Sequence, residues 1–304
     1  MSAFGSFLRL LASDVRFGVR CVLPRLGIVV AICALVFFLA WVTVLFKLPE
    51  VEGRLTLGEN LLCMWRGTLP HNPVSNELFK FPMAWFALLV PMAYVSLDYP
   101  FRDLGGMGLR LIVAARSRWA WWGAKCVWTV LCAVVCWSVP FVLSALVTLA
   151  QGGEWTFAAR PGVAYVLGAG RNNEIAQVAQ VLATEGGGAE AASSLATLDV
   201  MPAVFVAVVV LAAILLVQMV VSLMVHPVVG MVASVSILFL SAYFRNRLLL
   251  GSYLMLVRAE GFMREGMEPT AGALLALGVG LAAVLLGGFV FNRRDLLGKE
   301  VSAS

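Results

Sequence analysis

Charge is sparse in this sequence: only 13% of its 304 residues are Asp, Glu, Lys or Arg, where soluble domains carry about a quarter. Histidine is scarcer still, with His71 and His226 alone, so one chain cannot assemble a multi-histidine metal site. Six cysteines are present without a CxxC pair or a His/Cys metal spacing. Cys21, Cys33, Cys126, Cys132 and Cys136 lie in or beside apolar runs, and Cys63 is alone in its loop, which leaves no disulfide framework. The nearest fragment to a phosphate-binding loop, Gly298-Lys299-Glu300, lacks the upstream glycine and the Ser or Thr that would hold magnesium. No GxSxG, HExxH or paired-carboxylate arrangement occurs in any apolar run, so neither catalysis nor a resident cofactor is expected of this chain. The net charge of +5 is scattered, too thin for a nucleic-acid footprint and better explained by membrane orientation.

Apolar residues fill the space that charge leaves. They make up 61% of the chain, and the mean hydropathy is +0.93, the signature of an integral membrane protein. Six runs are read as transmembrane helices: residues 26–46, 82–97, 126–150, 200–225, 228–243 and 271–291. The first holds about 20 residues without a charge, enough at ~1.5 Å per residue for a hydrocarbon core of about 30 Å. Pro91 is expected to kink the second, and Pro140 lies within the third. The fourth and fifth are separated only by His226 and Pro227. Together they are too long for one helix in a bilayer, so a hairpin with a tight turn is expected. His226 then sits at the interface; the other reading of a lone intramembrane histidine is a proton or substrate path. Gln218, well inside a run, is expected to hydrogen-bond a neighbouring helix. In the last run Gly272, Ala276, Gly280 and Gly288 recur at four- or eight-residue spacing, a row of small residues that permits close helix packing.

The connecting segments carry the charge. Residues 1–25 do not read as a cleaved signal peptide, because Arg9, Asp14, Arg16, Arg20 and Arg25 interrupt the apolar residues. On a helix Arg9, Arg16 and Arg20 fall within roughly 40° of one another, opposite Phe4, Phe7, Leu8, Leu11, Val15, Val19 and Val22. That predicts an in-plane interfacial helix, with Pro24 marking a turn into the first span; the alternative is a solvated basic N-terminus. Residues 47–81 read as a polar loop. Residues 98–125 hold Arg102, Arg110, Arg116, Arg118 and Lys125 against Asp98 and Asp103, which places this loop on the cytoplasmic side. Leu104, Met107, Leu109, Leu111 and Ile112 predict a short amphipathic helix within it, and Trp119, Trp121 and Trp122 are expected as anchors at headgroup level.

Residues 151–199 form a long external loop in which Asn172 or Asn173 can cap a helix through Leu182, followed by a glycine-rich linker. Residues 244–270 contain a ten-residue apolar island, too short to span, that predicts a re-entrant or surface-lying external helix. Residues 292–304 are a charged tail. Six spans put both termini in the cytoplasm of a cell (plasma) membrane. Lys plus Arg number twelve in the inner segments and ten in the longer outer ones, a bias of density more than of number. Acids and bases inside spans, which an ion-coupled transporter requires, are scarce, with Asp98 and Lys125 at span ends the nearest.

Two short pieces, Ala115 to Lys125 (ARSRWAWWGAK) and Phe291 to Leu296 (FNRRDL), together with this layout, resemble the permease subunit of ABC-2 type transporters. These are bacterial export permeases that share their layout with eukaryotic G-type ABC transporters. The resemblance implies an all-α membrane protein: six transmembrane helices, an N-terminal interfacial helix, a cytoplasmic coupling helix and an external or re-entrant helix before the last span. It implies that Arg102, Asp103, Arg110, Arg116 and Arg118 contact a separate ABC ATPase subunit, which holds the ATP and magnesium. It also implies a second permease copy, as homodimer or heterodimer, and a surrounding of membrane lipid. The loop at 151–199 departs from the compact family pattern. The apolar spans suit an amphiphilic drug, peptide or lipid as substrate. The alternatives are a non-transporting membrane scaffold that holds a partner through the 151–199 loop, and an ion-coupled carrier.

Overall fold

A computed structural model describes residues 3–47, 54–69, 79, 81–115, 117–160, 163, 198–260, 262 and 266–293. The chain is a helical membrane protein. Five stretches are long and apolar enough to cross a bilayer: Gly5–Val42, Met83–Leu104, Arg118–Gln151, Met201–Met224 and Pro269–Arg293. Backbone polar groups in hydrocarbon must bond one another, and the helix does this within each segment.

Helix α1 (Ala3–Lys47) is continuous through Pro24. The expected turn there, separating an in-plane helix at 1–25 from a span at 26–46, is absent. At about 1.5 Å per residue, α1 is about 68 Å long, roughly twice the hydrocarbon core. A proline removes one helical N–H. Packing on both sides of it holds the helix together, because Leu10, Asp14, Val22, Val29, Cys33 and Phe37 are all buried.

The segment at 47–81, expected to be a polar loop, contains α2 (Leu57–Trp65), all nine residues of which are buried. Thr56 and Glu59 start it with a reciprocal capping box. Helix α3 (Met83–Val95) includes Pro91 and leads through a turn into the short helices α4 (Tyr99–Leu104) and α5 (Met107–Ala115). Helix α6 (Arg118–Gln151) is capped by Ser117, which accepts from the amide of Ala120, and ends at Gly152 in the left-handed region with φ of 63°. It begins eight residues before the expected boundary at 126, taking Trp119, Trp121 and Trp122 into the helix.

Strands β1 (Ala158–Ala159) and β2 (Leu198–Asp199) pair antiparallel, so the long loop leaves and returns at one place. The helix expected within that loop, its glycine-rich linker, Arg116 and the tail beyond Arg293 lie outside the described residues. Helices α7 (Met201–Met224) and α8 (Pro227–Tyr243) form the expected hairpin, with His226 accepting from the amide of Val228 to cap α8. At 17 residues, α8 is about 26 Å long. Residues 250–258 make two 3-10 turns, Leu250–Leu254 and Leu256–Arg258, and are buried throughout rather than lying on the surface. Helix α9 (Pro269–Arg293) closes the bundle.

Helices α1 and α6 run parallel, with Asp14 meeting Lys125 and Gly18 meeting Trp128. Helices α6 and α9 run antiparallel, since Arg118 donates to the carbonyl of Asn292 and Trp122 Nε1 to that of Val284. Gln218 ties three helices: Nε2 donates to the Ala93 carbonyl on α3 and Oε1 accepts from Ser234 Oγ on α8. Gly272, Ala276, Gly280 and Gly288 lie on the buried face of α9.

Candidate functional site

The densest chemistry lies where α1, α4 and α6 meet. Lys125 on α6 is 1% exposed and Asp14 on α1 is 3% exposed. Lys125 Nζ bonds Asp14 Oδ1 and lies 2.8 Å from Asp103 Oδ2 on α4. Tyr99 Oη donates to Asp14 Oδ1 at 2.9 Å, and Trp121 Nε1 donates to Asp103 Oδ2 at 3.1 Å. The ammonium also sits 4.7 Å from the centroid of the Tyr99 ring and 5.2 Å from that of Trp121, where the ring faces attract a cation. One base and two acids are thus gathered from three helices. A buried charge without a partner is strongly unfavourable, so these elements are held as a unit.

A cavity of about 260 Å³ opens beside this cluster. Its walls include Phe17, Cys21 and Arg25 from α1, and Asp98, Arg102 and Asp103 from α4 and its N-cap. Arg25 Nη1 bonds Asp98 Oδ1, while Arg102 Nε lies 2.8 Å from Asp98 Oδ2. Asp98 is therefore shared by two arginines, one with 13% of its side chain exposed and one with 72%.

Of the residues expected to contact an ATPase, Arg102 and Arg110 are exposed. Asp103 is turned inward into the buried cluster, because Lys125 and Trp121 compete for its carboxylate. Arg118 bonds the end of α9. Of the expected interfacial anchors, Arg9, Arg16, Arg20 and Trp119 are exposed. Trp121 and Trp122 are corrected: each is 1% exposed and stacks on Phe291 with centroids 5.0 and 5.7 Å apart. The indole area is better buried between helices, where both N–H groups find acceptors, than left at the surface.

The opposite end of the bundle is also built on buried charge. Glu59, 0% exposed, accepts from Arg160 Nε at 2.7 Å, Arg160 Nη2 at 2.8 Å and the Arg160 amide at 3.0 Å. These hydrogen bonds hold the Arg160 guanidinium above its ordinary pKa and fasten β1 to α2. Arg258, 1% exposed, donates to the carbonyls of Thr68, Ser241 and Ala242 at 2.6 to 2.9 Å. It closes the C-terminal end of α8, where carbonyls lack helical partners; burial pushes its pKa down to about 10. Burial likewise pushes the Cys63 thiol up to about 12.

No family model, curated protein or solved structure matches this chain. Among the described residues, no group of three His, Cys, Asp or Glu side chains could hold a metal ion.

Sequence reasoning missed three of these features. Asp14 was grouped with the charges of a basic terminus, yet it stands with Leu10 and Gly18 on the helix side away from the arginines. An acid on an apolar face was the available signal. Thr56-Leu-Gly-Glu59 before Leu61 and Leu62 is the capping-box pattern that announces α2. Arg258, just after the ten-residue apolar island, carried no partner in sequence, because its acceptors are backbone carbonyls.

Proposed function

We propose that this chain is the permease subunit of an ABC-type exporter, with six spans, both termini cytoplasmic and a separate ATPase subunit docked on the α4–α5 connector. The observation that carries the reading is the buried Asp14–Lys125–Asp103 cluster. It joins the connector between the second and third spans to both α1 and α6, so that a push on α4–α5 moves two long helices together. Arg102 and Arg110 remain outward on that connector, available for bidentate pairing with carboxylates of a partner. ATP and magnesium belong to that partner. A second permease copy completes the pathway, and the cargo is an amphiphilic drug, peptide or lipid. The switch required is a two-state packing of the bundle that nucleotide binding biases.

The test is to extract the tagged chain gently from its native membrane and measure whether a P-loop ATPase accompanies it and hydrolyses ATP. Isolation of the chain with a non-ATPase partner would sink the exporter reading in favour of a scaffold. The buried cluster also favours a second reading, the ion-coupled carrier, because it holds an acid and a base in the interior of the helix bundle. Transport that continues in energised vesicles without ATP would select it.

A further inference from the structure

The cavity between α1 and α4 has binding capacity that docking of an ATPase does not use. Both Asp98 oxygens are occupied, one by each arginine, but the arginines are not saturated. Among the described residues, Arg25 hydrogen-bonds only through Nη1, and Arg102 pairs with Asp98 only through Nε. The remaining N–H groups form a fork suited to an anion with several oxygens. Asp103 Oδ2 pairs with Lys125 and accepts from Trp121, and its Oδ1 makes no bond among the described residues. One cavity therefore offers two cationic arms and one anionic acceptor.

Volume and surroundings narrow the occupant. About 260 Å³ is below the ~300–1,000 Å³ of pockets that enclose drug-sized ligands, so a headgroup fits with its remainder outside. The α1 wall is the row Ser13, Phe17, Cys21 and Arg25. At helical spacing that row continues to Ile28, 50% exposed, and Leu35, 57% exposed, an apolar track leading from the cavity along the span. We propose that the cavity binds the phosphoethanolamine headgroup of a membrane phospholipid, with phosphate on Arg25 and Arg102, ammonium on Asp103 Oδ1, and acyl chains along α1 past Ile28. A choline headgroup lacks the N–H donors for Asp103, and a glycerol headgroup lacks the cation. The assignment shares Arg102 with the proposed ATPase contact, and its test on the purified chain needs no ATPase.

Native mass spectrometry of the detergent-purified chain tests it, with phosphatidylethanolamine, phosphatidylcholine and phosphatidylglycerol added at equal concentration. One phosphatidylethanolamine per chain should be retained about tenfold better than either competitor, the loss of one charge-assisted hydrogen bond being of that order. Cys21→Trp, which fills the cavity and leaves its charges, should remove the preference, and Arg102→Gln, at an exposed side chain, should weaken retention of all three lipids because the phosphate is common to them, each without lowering the melting temperature. Equal retention of the three lipids by the unsubstituted chain overturns the proposal, as does an undiminished preference in Cys21→Trp or an undiminished retention in Arg102→Gln. Displacement of the lipid by an equal concentration of soluble glycerophosphoethanolamine overturns the lipid source.

Discussion

Lys125 and Asp14 lie 111 positions apart in the chain and bond one another in the interior. Asp103 pairs with the same ammonium from a third helix, so a single lysine is shared by two carboxylates.

Removing that lysine should therefore cost more than removing either acid. Lys125→Met leaves two buried carboxylates without their cation, and breaking a buried pair in this way costs about 3–5 kcal/mol. Asp14→Asn keeps the Lys125–Asp103 pair and the Tyr99 contact, and should cost less. Thermal unfolding of the purified variants in detergent checks the order; a Lys125→Met protein that melts with the native one would refute a structural role for the cluster.

Arg110→Glu should abolish co-purification of an ATPase while the chain still inserts and melts normally, since the Arg110 side chain is exposed. Arg118→Glu should lower the melting temperature as well, because Arg118 bonds the end of α9. Measuring association and melting on both variants separates docking from folding. Intact association in both would remove the connector as the docking site.

Two glycines on α9 should respond oppositely to alanine. A Cβ at Gly280 would meet Leu216 at 3.6 Å, ordinary contact, whereas one at Gly287 would fall 2.5 Å from Trp122 and 2.7 Å from Val220. Gly280→Ala should be neutral or stabilising by up to about 1 kcal/mol from helix propensity. Gly287→Ala should destabilise by about 1–3 kcal/mol through overpacking. Melting temperatures of the pair decide it.

Cys63 reports on α2. Buried, with its thiol pushed up to about 12, it should resist maleimide at neutral pH while exposed Cys21 reacts. Glu59→Ala removes half of the capping box of α2 and the clamp on Arg160, and should make Cys63 reactive. A mass spectrum of the labelled peptides reads both sites, and unchanged protection of Cys63 would show that α2 holds without its glutamate.

Much of the fold was legible because it is local. Apolar runs long enough for a bilayer became helices, His226-Pro227 became a hairpin turn, and the spacing of Gly272, Ala276 and Gly280 marked the buried face of α9. Period and length are properties of neighbours in the chain, and a hydrocarbon solvent leaves few other ways to satisfy the backbone. The helix boundaries were less legible. Pro24 and the tryptophans at 119–122 looked like ends of elements, while packing on both sides kept α1 and α6 continuous through them.

The site was the least legible part, for a physical reason. Composition and hydrophobic period define a membrane-embedded helical bundle with its charges gathered toward the ends of the spans. Helix packing sets which charges are solvated and which are joined: Arg102 and Arg110 outside, Asp14, Lys125 and Asp103 inside, Glu59 on Arg160, Arg258 on backbone carbonyls. A charge carries no local mark of its partner, because Coulombic attraction depends on distance through space, and the helices that bring these residues together are far apart along the chain.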